Sequence, residues 1–436
     1  MSLSLMYLLY SALLGLVLLL GTPYWLFQMV RHGKYRRGLS ERLGMVPARI
    51  RNSRQRSIWV HAVSVGEVLA VTDLVRRMRT EFSEHRLVVS TTTDTGQRLA
   101  ADRFGAENVF YFPFDFASSA RRYILAIRPD LVVIAETEFW PNFLRVVRES
   151  GARVAIVNAR ISDRSLPGYR RWPKLLVGVL RSVDLFLAQT PEDARRLAEI
   201  GAAADRVLVS GNLKFDVAPR PAPPIVSQLR SVLAEFRAGP VLVCGSTVQG
   251  EEPLLLGAFE KVLSSHPAAV MLLAPRHPER FDEVAGLLQQ LRIKFWRRSQ
   301  WNNDPVNGSV LLIDSIGELA SLYSLADLAF VGGSLVARGG HNIIEPAQYG
   351  VPILVGKHTE NFRDIVELFL NRDAVRVVDP DDLPLAFVEL LADDTERRAL
   401  GHRALETLES QRGATQFTLQ KVHALLASHM REANPA

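Results

Sequence analysis

A chain of 436 residues is too long for one core and reads as two domains of ordinary size with additions. Its composition is globular, and the single cysteine, Cys244, excludes an intrachain disulfide and offers no thiolate metal site. Residues 31–56 carry nine Lys/Arg against one acid, Glu41, a local charge of +8; with +6 overall, residues 57–436 carry −2, which excludes a basic nucleic-acid-binding body.

The first element is an apolar stretch, Leu5–Val30, of 26 uncharged residues with Tyr24 and Trp25 near its end. That length spans a bilayer with some tilt, and aromatics suit its interface. No charge precedes the stretch and the basic cluster follows it, the reverse of a cleavable signal peptide. It therefore reads as an uncleaved signal anchor with Arg31 onward in the cytoplasm. The basic cluster would hold the body against an anionic leaflet, or serve as a topology signal alone.

From Ile58 the chain alternates short β-branched runs with amphipathic segments of helical period. Strands are expected at Ile58–Val63, Arg86–Ser90, Leu131–Ala135, Arg153–Val157, Leu185–Ala188 and Val207–Ser210. A linker follows at Ala218–Pro224, with four prolines in seven residues. The second half adds strands at Val241–Cys244, Ala269–Leu273, Val310–Ile313, Leu328–Val331, Ile353–Val355 and Val375–Val378, then a long helical tail. This alternation predicts an α/β protein with two doubly wound parallel-sheet domains facing a cleft. The expected domains are an anchor over 1–33, a first domain over 34–218 and a second over 219–436 that includes the tail. Cys244, inside a strand, reads as a core residue.

The unusual polar clusters fall at the carboxyl ends of these strands, where doubly wound folds bind ligands. Ser64 and Glu67 after the first strand have capping-box spacing, and equally Glu67 suits a buried general base. Thr91–Thr95 after the second reads as helix capping or as a sugar contact. Glu136, Glu138 and Trp140 follow the third, Asn158 to Ser165 the fourth, and Lys214 the sixth. In the second half Gly245-Ser246-Thr247 turns into a helix, and Arg276 stands in a proline-flanked turn suited to phosphate or carboxylate. His277 has no second ligand at metal spacing. The run VGGSLVARGGHNIIEPAQYGVPILVG, Val331–Gly356, reads as a nucleotide-phosphate cradle with a ribose-gripping Glu345, or as a plain strand–turn–helix–strand unit. No P-loop, GxSxG or complete GxGxxG is present, which speaks against an ATPase, a serine hydrolase or an NAD enzyme.

HAVSVGE, ETEFWPN, NARISDRS, NLKFD, GST..GEE, PRHPERF and GGSLVARGGHNIIEPAQYGVP, in this order between Trp59 and Phe362, resemble the motifs of 3-deoxy-D-manno-oct-2-ulosonic acid (Kdo) transferases of lipopolysaccharide synthesis. The resemblance implies a GT-B glycosyltransferase fold and inverting transfer from CMP-Kdo to the lipid A precursor lipid IVA. It implies no metal and no cofactor, and a single-pass protein of the bacterial inner membrane with its body on the cytoplasmic face. By the same resemblance Glu67 is the catalytic base and Glu136 a second essential acid. Lys214 and Arg276 would hold the donor's phosphate or carboxylate. Ser246, Gly333, Ser334, Asn342 and Glu345 would form the cytidine-phosphate pocket. One departure is Val248, where the family usually has His. Two alternatives are another GT-B enzyme acting on a UDP-sugar, a transferase or an epimerase, and a non-catalytic, membrane-anchored lipid-binding scaffold.

Overall fold

A computed structural model describes residues 3–32, 37–51, 55–163, 165–171, 173–216 and 222–433. Lys34, Arg36 and Arg54 of the basic cluster, Arg164, and the expected domain boundary at 218/219 lie outside the described residues. The chain divides into two compact units, residues 1–218 with 411–436, and residues 219–410.

Each unit is built on a seven-stranded parallel sheet. The first contains β1 (Ser57–His61), β2 (Arg86–Thr91), β3 (Val109–Tyr111), β4 (Pro129–Ala135), β5 (Arg153–Ala159), β6 (Leu185–Ala188) and β7 (Val207–Val209). Their spatial order is β3-β2-β1-β4-β5-β6-β7. The second contains β8 (Val241–Thr247), β9 (Val270–Pro275), β10 (Phe295–Arg297), β11 (Ser309–Leu312), β12 (Leu328–Val331), β13 (Ile353–Val355) and β14 (Arg376–Val377), ordered β10-β11-β9-β8-β12-β13-β14.

The strands are apolar on both faces because both faces are covered. Along β1, Trp59 enters one core layer while Ile58 and Val60 enter the other. Along β8, Leu242 and Cys244 take one layer and Val241 and Val243 the other. Period-two alternation of apolar side chains thus calls for a layer of helices on each side. The expected parallel, doubly wound architecture is present in both units. Two strands were not anticipated, β3 and β10; each has three residues at a sheet edge, too few to show a period.

The tail corrects the expected domain assignment. The helix Ala414–Ala433 belongs to the first unit, where Leu419, Val422 and Leu426 complete one core layer. The Asp216 carboxylate holds its start, accepting the N–H of Gly413 at 2.7 Å and that of Thr415. Helical period alone gives a face to be buried, not the sheet that will bury it.

At the other terminus, residues Leu5–Arg31 of the helix Leu3–His32 are long and apolar enough to cross a membrane. Its first turns are docked on the first unit. Tyr7 is buried in the core, the Arg145 guanidinium lies 4.7 Å from the Tyr7 ring, and Asn142 Nδ2 donates to Ser11 Oγ at 3.0 Å. Three members of the basic cluster make contacts with the first unit. Arg42 lies over the Tyr111 ring, Arg49 pairs with Glu41 at 2.6 Å, and Arg56 pairs with Asp130 at 3.4 Å.

Candidate active site

In an open parallel sheet, ligands bind where neighbouring strands send the chain in opposite directions. That place lies between β1 and β4 in the first sheet and between β8 and β12 in the second. Most of the expected site residues stand there.

After β1 the chain turns into the helix Val65–Glu81, with Glu67 as its third residue, only 7% exposed. The Val63 N–H donates to Glu67 Oε2 at 2.7 Å, and the Ser64 hydroxyl donates to Oε1 at 3.0 Å. Ser64 makes no side-chain cap bond, so the reciprocal capping box does not form. The hydroxyl orients the carboxylate instead. Burial pushes the Glu67 carboxyl up to about 7; its hydrogen bonds pull it down, and the charges of Glu136 and Glu138 raise it.

Glu136 directly follows β4 with a left-handed backbone, φ 57°. For a residue with a Cβ this costs on the order of 1 kcal/mol or more. Glu136 Oε1 lies 3.4 Å from Lys214 Nζ, both side chains about one-third exposed. Glu138, two residues on, is also pushed up to about 7 by burial and by the Glu136 charge. Three carboxyl groups and one ammonium therefore share the end of the first sheet.

Lys214 is placed by a relay that sequence reasoning missed. Asn158, buried and left-handed at φ 55°, accepts the Leu213 N–H on Oδ1 at 3.0 Å. Its carbonyl accepts Gln189 Nε2 at 2.9 Å, Gln189 Oε1 accepts Asn212 Nδ2 at 2.9 Å, and Asn212 Oδ1 accepts the Lys214 N–H at 3.0 Å. The available signal was an Asn at a strand end, one of the few side chains that tolerates that backbone.

Other clusters resolve to structural roles. Thr93 caps the helix Asp94–Phe104 by accepting the Gly96 N–H at 3.1 Å, the capping alternative for that run. His61 is fully buried, hydrogen-bonds Ser90 Oγ at 2.9 Å and stacks on Phe112; burial lowers it to about 3, so it is neutral. Trp140 packs against the core. Cys244 is core, as expected.

In the second unit Ser246, the penultimate residue of β8, is left-handed, φ 56°, where pairing with β9 slips between Gly245 and Thr247. Next comes Glu251, fully buried. Its carboxylate accepts four N–H groups, from Val248 (3.0 Å), Gly333 (2.7 Å), Ser334 (2.9 Å) and Leu335 (2.9 Å). This corrects the expectation for Gly333 and Ser334. The anion held by their N–H groups is the chain's own carboxylate. The Ser334 hydroxyl is equally engaged, donating to the Val331 carbonyl at 2.7 Å and accepting the Gly356 N–H at 2.8 Å. Their N–H groups and the Ser334 hydroxyl are therefore already engaged within the fold. Glu252 is also structural, bridged by both Nη atoms of Arg280 at 2.6 and 3.2 Å. Val248 points inward, 6% exposed.

Gly333 has φ 72°, and a Cβ there would stand 2.8 Å from His341 Cδ2. The glycine thus lets the His341 ring lie against the turn. His341 Nε2 is buried without a hydrogen-bond partner. Burial lowers His341 to about 4, helped by the charges of Arg276 and His277. Arg276 is exposed at the end of β9 and has no ion-pair partner among the described residues. Arg276 supplies a positive charge beside the His277 ring and the neutral His341, whose ring is free to hydrogen-bond, a neighbourhood fit for a phosphate; sequence reasoning had singled out only Arg276. Asn342 Oδ1 accepts the Ile344 N–H at 3.2 Å, opening the one-turn helix Ile344–Ala347 that carries the half-buried Glu345. Among the described residues no three His, Cys, Asp or Glu side chains are grouped as a metal requires.

Residues 37–217 match a family model described as 3-deoxy-D-manno-octulosonic-acid transferase (kdotransferase). The 3-deoxy-D-manno-octulosonic acid transferase of Haemophilus influenzae is 35% identical over 395 residues, 89% of this chain and 92% of that one. The Bordetella pertussis transferase of the same name is 34% identical over 408 residues, 91% and 94% of the two chains. Among solved structures, the UDP-GlcNAc 2-epimerase from Neisseria meningitidis bound to UDP-GlcNAc aligns with a TM-score of 0.56 at 14% identity. The alignment covers 85% of this chain and all of that one, a likeness of fold.

Proposed function

This chain belongs to the 3-deoxy-D-manno-octulosonic acid (Kdo) transferase family, and from that premise we propose that it transfers Kdo from CMP-Kdo to lipid IVA with inversion. The observation that carries the reading is Glu67, a nearly buried carboxylate raised to about 7 at the end of β1. A base with this pKa is ionised often enough at neutral pH, yet basic enough, to take a hydroxyl proton.

In the proposed reaction Glu67 takes the proton from the acceptor hydroxyl. The acceptor oxygen bonds to the ketosidic carbon of Kdo, and the bond from that carbon to the CMP phosphate breaks, its electron pair leaving with CMP. Arg276 and the neighbouring His277 and His341 meet the charge that grows on the phosphate. Ser246, Asn342 and Glu345 form the rest of the donor pocket, with Glu345 on the ribose. The pair Glu136–Lys214 fixes charge beside Glu67. The exposed apolar side chains of the helix Leu3–His32, whose first turns pack on the first unit, hold the chain to the inner membrane with the body on the cytoplasmic side.

The test is incubation of the purified chain with CMP-Kdo and lipid IVA in the presence of EDTA, followed by mass spectrometry of the lipid. A gain of one or more Kdo masses supports donor, acceptor and metal independence together. An unmodified lipid, with nucleotide binding that favours UDP over CMP, would replace the reading with a UDP-sugar enzyme.

A further inference from the structure

Beside the acid cluster of the first unit lies an apolar cavity of about 400 Å³. One wall is the N-terminal helix, through Leu9 and Leu13. The other is formed by Phe139, Gly168, Tyr169 and Leu176. Phe139 directly follows Glu138 and meets the Tyr169 ring edge to face, centroids 5.5 Å apart. The charge of Glu138 reaches both Tyr169 and Glu67. The cavity thus adjoins the carboxylates on one side and the membrane-compatible helix on the other. That helix also exposes Leu8, Leu16, Leu19 and Leu20, a surface continuous with lipid when the chain is on a membrane.

A glycolipid acceptor has to bring a sugar hydroxyl to Glu67 while its hydrocarbon stays out of water. We propose that this cavity takes one acyl chain of the acceptor, so that the enzyme grips the lipid as well as the sugar. The inference rests on the transferase reading above and adds to it an acyl subsite built jointly by the anchor helix and the body.

Gly168 supplies the test. A Cβ built on it meets no atom within 4 Å, so alanine is accommodated without displacing the wall, and a larger side chain on this lining residue narrows the cavity. Wild type, Gly168→Ala and Gly168→Phe are compared on lipid IVA and on its fully deacylated saccharide, with CMP-Kdo saturating. Wild type should favour the acylated acceptor at least tenfold in KM. Gly168→Ala should keep that preference and Gly168→Phe should erase it, the KM for CMP-Kdo staying within twofold. Leu13→Trp fills the cavity from the helix side and should act alike if Gly168→Phe fails to fold. A filled cavity that retains the full preference, or a wild type without one, overturns the acyl subsite. A wild type that transfers no Kdo to either acceptor instead overturns the transferase reading itself.

Discussion

Glu251 Oε1 accepts the N–H of Ser334 at 2.9 Å, and with three further N–H groups it closes the turn after β12 around a carboxylate from the helix start after β8. The glycine-rich turn is therefore organised before any ligand arrives. Glu251→Ala would leave four donors unpaired in a buried place. We expect a loss of about 3–5 kcal/mol, read as a lower urea midpoint.

Glu67→Gln keeps the shape of the side chain and removes the base. The transfer rate should fall at least a hundredfold with an unchanged KM for the donor. In the wild type, kcat/KM should rise with pH through about 7 as Glu67 of the free enzyme ionises.

The same substitution has an opposite effect on stability. Folding raises Glu67 from 4.5 to about 7, so its contribution is fully present below about pH 4.5 and is lost as pH rises through about 7. Glu67→Gln should therefore be more stable than wild type at pH 8, by at most about 3 kcal/mol, and no more stable at pH 4. Thermal unfolding at the two pH values checks the sign.

Arg276 is exposed and makes no ion pair among the described residues, so its removal should cost no stability. Arg276→Ala should weaken CMP binding at least tenfold by calorimetry, with Arg276→Lys recovering only part, because a lysine cannot grip two oxygens at once.

Glu136 and Lys214 are each about one-third exposed, so their pairing should add less than about 1 kcal/mol to stability. A double-substitution cycle with alanine should show that small coupling in urea unfolding. Turnover should fall at least tenfold for either single change. A coupling above about 2 kcal/mol would make the pair a structural ion pair rather than part of the site.

The full chain should remain with lipid vesicles after an alkaline carbonate wash. Recovery in the supernatant would sink the anchoring role of the helix Leu3–His32.

Much of the fold was legible before the structure. β-branched runs alternating with helical periods suffice for two doubly wound sheets, because the pattern itself states which faces must be buried. Strand ends were also legible, and with them Glu67, Glu136 and Arg276, since a motif's place in the chain fixes its place on a sheet. What the sequence could not supply were contacts between segments far apart in it. The helix Ala414–Ala433 declares an apolar stripe but not that Asp216 and the first sheet will receive it. A glycine turn declares room for an anion but not that Glu251, 82 residues earlier, already supplies it. His341 gains its character only from burial beside Arg276 and His277, and Glu67 its raised pKa only from lost water and two neighbouring acids. Local pattern determines secondary structure because its forces act over a few residues; desolvation, charge coupling and hydrogen-bond partnership belong to the packed chain, and only the tertiary structure decides them.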